Sequence, residues 1–303
     1  MSVSSSTTGR PARRLSLAQR LAARDLDAVT LLVVPAALFV VAMFVYPFLY
    51  GLVLSFHPKE GDALANYTTF FSDPYMYGTI WLTLRLALPV TVINLLISVP
   101  IAMRVRHMRR QRILTTILVL PITLGTVLIA EGLLNYLGPQ GWLNRTLITF
   151  GLIDHPIRLV HNYLGVLLSL VITGFPFTFL LTLSMISGID PALEQAAATL
   201  GARAPQRFRR IVLPLILPGL AVTFCLAFVD AFSVFPSAVM LGSPAGETRV
   251  ISIAAAQAAF EKYDYSYASA IAMIMTVIQF GFVGIVLALR GLFYKGPALG
   301  GKG

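Results

Sequence analysis

Long apolar runs, broken by short polar stretches, organise the whole chain. The first, Val29 to Phe56, carries no charged residue. Five more follow, at about Thr79 to Met103, Ile113 to Leu137, Tyr163 to Ile189, Leu213 to Leu241 and Tyr265 to Leu289. Each is long enough to cross a hydrocarbon core as a helix, which takes roughly 20 residues. In hydrocarbon every backbone polar group must find its partner within the segment, so these runs predict helices. The predicted fold class is all-α: a polytopic membrane protein with six transmembrane helices and a cytoplasmic loop between spans four and five. Its expected layout is a basic flexible tail over 1–28, a six-span domain over 29–292 and a cytoplasmic tail over 293–303. Prolines punctuate the spans, among them Pro47, Pro89, Pro121, Pro176, Pro218 and Pro236. Each removes a backbone donor and tends to kink its helix.

Composition points the same way. Hydrophobic residues make up 57% of the 303 residues and charged ones only 12%, against roughly 25% charged in soluble domains. A water-soluble fold of this size could not hide so much apolar surface, so lipid is the second solvent. The first run is longer than the roughly 7–15 apolar residues of a secretory signal, and it reads as an uncleaved span behind a basic tail.

The net charge of +10 is a topology signal. Seventeen of the Lys and Arg residues lie in the N-terminal tail, in Arg104–Arg112, in Arg203–Arg210 and in the C-terminal tail. The alternate segments hold five: Lys59, Arg145, Arg158, Arg249 and Lys262. Cytoplasmic loops carry the excess of basic residues, so both termini are expected inside. Anionic membrane lipid is the natural neighbour of this charge, and nucleic acid is not.

The most informative stretch lies between the fourth and fifth runs, from Ile189 to Pro214. Asp190 can cap a helix, Pro191 suits its first position, and Glu194 favours its positive end. Leu193, Ala196, Ala197 and Leu200 share one face. Gly201 can end the helix, and a short basic helix follows. Such a projecting elbow can plug a groove in a soluble partner.

This stretch resembles the EAA loop of permease subunits of binding-protein-dependent ABC importers. That pattern is EAA, three residues, Gly, nine residues, then Ile-x-Leu-Pro. Ala196, Ala197, Gly201, Ile211, Leu213 and Pro214 match it in register. Gln195 stands where the pattern has Glu, and Glu194 lies one place earlier. The resemblance implies a non-catalytic transport subunit whose loop docks on a separate ATP-binding subunit. It implies two copies of that subunit holding ATP and Mg, a second permease subunit, and an extracytoplasmic substrate-binding protein. It also implies residence in the bacterial cytoplasmic (inner) membrane. No G-x-x-x-x-G-K-[ST] phosphate loop occurs in the chain, so no cofactor is expected on it.

Three further segments are similar to the spermidine/putrescine branch of that family: Leu200-Gly201-Ala202, Gly141-Trp142-Leu143-Asn144 with Gly151 to Pro156, and Tyr263 to Ala270. Permeases for ferric iron, phosphonate and sulfate share these features, so the cargo stays open among small polar solutes. Glu131 and Asp230 lie inside apolar runs. Carboxylates there face the bundle interior or water and could ease the passage of a polycation. Alternatively each pairs with a neighbouring helix, through Arg85 or Asn94. Phe232, in the mixed face around Asp230, could hold a cation against its ring.

Two other classes fit less well. A polytopic membrane enzyme needs a metal motif or a nucleophile–base frame, and neither is recognisable. The histidines show no metal-ligand spacing, and Cys225 is the only cysteine. An ion-coupled secondary transporter often carries inverted repeats, which are not evident, and would have no use for the EAA-like loop.

Overall fold

The computed structural model describes residues Ala28–Phe293. The tails expected over 1–28 and 293–303 fall, but for one residue each, outside the described part. The chain divides into two compact units at the Val53–Leu54 boundary. The described residues of the first make up most of one helix, α1 (Ala28–Ser55), which is long and apolar enough to span and contains Pro35 and Pro47.

Helices are the only regular secondary structure among the described residues of the second unit. In chain order it contains α2 (Ala65–Ser72), α3 (Pro74–Val105), α4 (Gln111–Leu124), α5 (Thr126–Leu137), α6 (Trp142–Thr149) and α7 (Tyr163–Ser187). Then come α8 (Pro191–Thr199), α9 (Ala204–Arg207), a π-turn (Phe208–Val212), α10 (Leu213–Phe232), α11 (Pro236–Met240), α12 (Ile251–Phe260) and α13 (Tyr265–Phe293). Together with α1, the helices α3, α7, α10 and α13 account for five of the six expected spans.

The third expected span departs from the prediction. Ile113 to Leu137 was expected to be one helix, but α4 and α5 meet at Gly125, and the chain bends there by 99°. Two residues explain the break. Pro121 withholds a donor from the last turn of α4. Gly125 adopts φ 77° and ψ 157°, backbone space open essentially to glycine alone.

The fifth span is also shorter than predicted. It stops at Phe232 and not at Leu241, turns through Ser233 to Phe235, and resumes as the short α11. Pro236 cannot continue a helix from the preceding turn and restricts Phe235 before it. At its other end α10 is preceded by the π-turn, in which the Leu213 amide donates to the Phe208 carbonyl. The wider turn comes just before Pro214, whose ring would press on the preceding turn of a regular α-helix.

Packing is organised around α3 and α7. Both helices bury hydroxylated and small polar residues: Thr83, Thr91, Asn94 and Ser98 on α3, and Ser169, Thr178 and Thr182 on α7. Small residues let membrane helices approach closely where lipid offers no hydrophobic drive. Most of the hydroxyls donate to carbonyls of their own helix, as in Thr91 to Ala87 (2.7 Å) and Thr182 to Thr178 (2.8 Å). Thr83 Oγ1 also accepts the Ile251 amide at 3.0 Å, which satisfies a free donor at the start of α12. One apolar cluster joins α3, α7, α10, α12 and α13 through Leu86, Val166, Phe228, Ile251 and Ile271. A second, around Phe179, Ile186, Val212 and Ile216, packs the ends of α3 and α7 against the start of α10.

Candidate functional site

The segment between α7 and α10 forms the elbow that the sequence predicts. Asp190 Oδ1 accepts the Ala192 amide at 2.9 Å and caps α8, Pro191 fills its first turn, and Glu194 lies in that turn. Gly201 has φ 82°. Its amide donates to the Ala198 carbonyl and the Ala202 amide to the Ala197 carbonyl, both at 3.0 Å. These two bonds form a Schellman termination, which requires a left-handed residue at the Gly201 position. The glycine of the motif is therefore a conformational requirement of the elbow. Beyond it Gln206 Oε1 accepts the Arg203 amide at 2.9 Å, starting α9.

The elbow presents apolar side chains outward. Leu200 is 88% exposed and Leu193 48%, with Ala196 and Gln195 exposed between them and Ala197 half-buried. Ile211 and Leu213 are half-buried after α9, and Leu213 and Phe208 pack on the cluster around Phe179. Pro214 is exposed.

Glu194 turns the other way. It forms an ion pair with Arg106, the residue that follows α3, and Arg106 Nη1 donates to the Ile186 carbonyl at 3.0 Å. The two side chains are only 16% and 9% exposed. A recess of about 580 Å³ opens beside them, lined by Arg106, Gln111, Glu194, Gln195 and Arg207 among others. Sequence reading had counted Arg106 only as a topology charge, and no local pattern announces its partner 88 positions away.

The second group of interest lies where α10 ends. Ser233 Oγ accepts a hydrogen bond from Gln279 Nε2 at 2.7 Å. Gln279 is the midpoint of the 29-residue α13, so α10 terminates about halfway along its neighbour. Asp230 sits in the last turn of α10, exposed, with no hydrogen bond or ion pair among the described residues. A carboxylate left in hydrocarbon is costly, so this face meets water or another protein chain. Ser233 and Gln279 were not singled out by sequence, because their pairing exists only once α10 ends opposite the middle of α13.

Neither of the pairings considered for the two carboxylates forms. Arg85 lies over the Trp81 ring, 5.7 Å from its centroid. Asn94 is buried against α7, with its Oδ1 unpartnered. Glu131 instead receives a bond from Asn135 Nδ2 at 3.2 Å, one turn along α5, and is exposed. Phe232 is fully buried, its ring 5.6 Å from that of Phe228, so it faces the core and not an open path. Another buried polar side chain escaped sequence reading. Arg249 is 7% exposed, lies 4.4 Å from the centre of the Tyr75 ring, donates from Nε to Gln257 at 3.0 Å, and leaves Nη1 without a partner.

A multi-pass helical protein with kinked and broken spans and a capped, apolar-faced elbow outside them has the build of a membrane permease subunit. Comparison with known proteins makes this specific. The family of binding-protein-dependent transport system inner membrane components matches residues 92–290, and the chain belongs to that family, whose members are ABC-importer permeases without catalytic chemistry of their own. The chain is similar to the spermidine/putrescine transport system permease protein PotB of Haemophilus influenzae, with 33% identity over 205 residues, covering 65% of this chain and 71% of that protein. It is 31% identical to PotB of Escherichia coli K12 over 182 residues, covering 59% and 66%. A probable sulfate transport system permease protein, cysT of Prototheca wickerhamii, is 28% identical over 225 residues, covering 74% and 86%. Among solved structures, the fold is shared with a chain of a bacterial alginate ABC transporter (TM-score 0.77, 22% identity, 92% of this chain and 98% of that one).

Proposed function

We propose that this subunit forms half of the translocation pathway for a small polycation of the polyamine type. The observation that carries the reading is Asp230, an exposed carboxylate without a hydrogen bond or ion pair among the described residues, one turn before Ser233, whose hydroxyl meets Gln279 at the middle of α13. It lies in the last turn of α10, where the helix dipole adds partial negative charge. A desolvating ammonium group is stabilised by such a cluster of acceptors. Similarity to two spermidine/putrescine permeases supports the same cargo class.

Membership of the family supports the following surrounding assembly. A second permease subunit faces the Asp230 surface and excludes lipid from it. Two copies of an ATP-binding subunit hold ATP and Mg and dock on the elbow. An extracytoplasmic binding protein delivers cargo from the other side. The excess of Lys and Arg supports an elbow and both termini on the cytoplasmic side of the inner membrane. ATP binding would favour one of two access states through its differential contacts with the subunit pair.

One observation favours a second reading, with an oxyanion as cargo. Arg249 is a buried guanidinium with a free donor and no acidic partner among the described residues, and a probable sulfate permease is among the relatives. Uptake of labelled spermidine, putrescine and sulfate by the complete complex in liposomes separates the two. The polyamine reading expects ATP-dependent polyamine uptake that falls about tenfold or more in Asp230→Asn, the loss of a charge interaction worth roughly 1.4 kcal/mol. Sulfate uptake that is indifferent to Asp230→Asn and lost in Arg249→Gln would overturn it.

A further inference from the structure

The helix that would meet the ATPase has only a short connection to the span before it. Three residues, Gly188 to Asp190, separate α7 from α8. A push on α8 transmitted through that segment alone would be absorbed by bending at the junction. Arg106 supplies a second connection. It sits at the end of α3, caps the Ile186 carbonyl at the end of α7, and pairs with Glu194 on α8. One guanidinium therefore joins three helices, in the planar, two-pronged manner to which arginine is suited.

The acid in this arrangement is displaced by one position from the motif. One residue is about 100° of helix, since an α-helix has roughly 3.6 residues per turn. That shift carries the carboxylate from the exposed Gln195 position to the half-buried Glu194 position, where it faces its own chain. We infer that the Arg106–Glu194 pair is a strut that makes α8 move together with the ends of α3 and α7, so that displacement of the elbow is delivered to the two most closely apposed spans. Arg106 and Glu194 are positioning residues in this scheme. Docking itself belongs to the exposed leucines. The recess beside the pair is lined in part by α8, through Pro191, Glu194, Gln195 and Ala198.

The inference rests on the elbow being the docking site for the ATPase, and the test is built to separate the two. The complete complex is reconstituted with Arg106→Glu, Glu194→Arg, the two together, and the milder Glu194→Gln and Arg106→Lys. Cargo transported per ATP hydrolysed is measured alongside the amount of ATPase retained. Each charge reversal is expected to keep the ATPase bound while transport per ATP drops about tenfold, within the range typical of coupling between sites. The double reversal regains most of that loss, and Glu194→Gln loses part of it. A purely structural pair would change the amount of assembled complex and leave transport per ATP alone. Wild-type transport per ATP in the assembled single variants, or a double reversal no better than either single, overturns the strut. Should the reversals fail to assemble, Glu194→Gln and Arg106→Lys both coupling like wild type overturns it as well. Leu200→Asp is run in parallel. Retention of ATPase and transport in that variant refutes the docking assignment, a different failure from that of the strut.

Discussion

Replacing Gly201 by alanine isolates the conformational requirement of the elbow. A Cβ built on this glycine meets no atom within 4 Å, so no clash contributes. What remains is the backbone: φ of 82° costs a residue with a side chain about 1–2 kcal/mol. The turn can relax only by giving up the bonds from Gly201 to Ala198 and from Ala202 to Ala197, worth about 0.5–1.5 kcal/mol each. A loss of about 1–2 kcal/mol shifts the ratio of formed to open elbow by roughly 5- to 30-fold. The assay is stimulated ATPase activity and cargo uptake by the reconstituted complex across Ala, Asn and Leu at this position. Asn visits the left-handed region most readily, so Asn should couple best of the three. Leu should resemble Ala, because the surrounding space is open. Wild-type uptake per ATP in both Ala and Leu variants refutes the claim that the left-handed turn shapes a coupling element.

Two further outcomes follow from the broken spans. Gly125→Val places a β-branched residue at φ 77° and should destabilise the bend by about 1–3 kcal/mol, read as a lower Tm of the detergent-solubilised complex; an unchanged Tm contradicts the geometry at Gly125. Ser233→Ala and Gln279→Leu should each lower Tm, and a double-mutant cycle should show the non-additivity of residues in contact, about 0.5 kcal/mol or more. Strict additivity would mean that α10 does not end against the middle of α13.

The positions of the spans were legible because a hydrocarbon solvent leaves few choices for an apolar run of 20 residues or more. The elbow was legible for a similar reason: Asp190, Pro191 and Gly201 are local instructions for starting and stopping a helix, and each does so in the structure. Features decided by tertiary partners were not legible. Pro121 was visible as a punctuation mark, but the 99° bend depends on the backbone angles at Gly125. The place where α10 ends, just after Asp230, is set against the middle of α13 by the bond between Ser233 and Gln279, 46 residues apart. Phe232 shares its polar-looking neighbourhood with Asp230 in sequence but turns into the core. Glu194 looked like a misplaced copy of the motif's acid until Arg106 appeared beside it.

Site-directed crosslinking tests the central claim most directly. Cys225 is buried within α10 and is the chain's only cysteine, so Cys225→Ala gives a cysteine-free background. Leu200→Cys and Trp142→Cys are then introduced separately; both side chains are exposed, and one more span crossing separates them. The complete complex in native membranes is treated with a thiol-directed photocrosslinker, which alkylates the introduced cysteine and on irradiation inserts into the chain lying against it. The account predicts that Leu200→Cys crosslinks to the ATP-binding subunit, with a yield that changes when ATP is added, while Trp142→Cys does not reach it. A crosslink from Trp142→Cys in place of Leu200→Cys, or none from Leu200→Cys in an assembled complex, would contradict it.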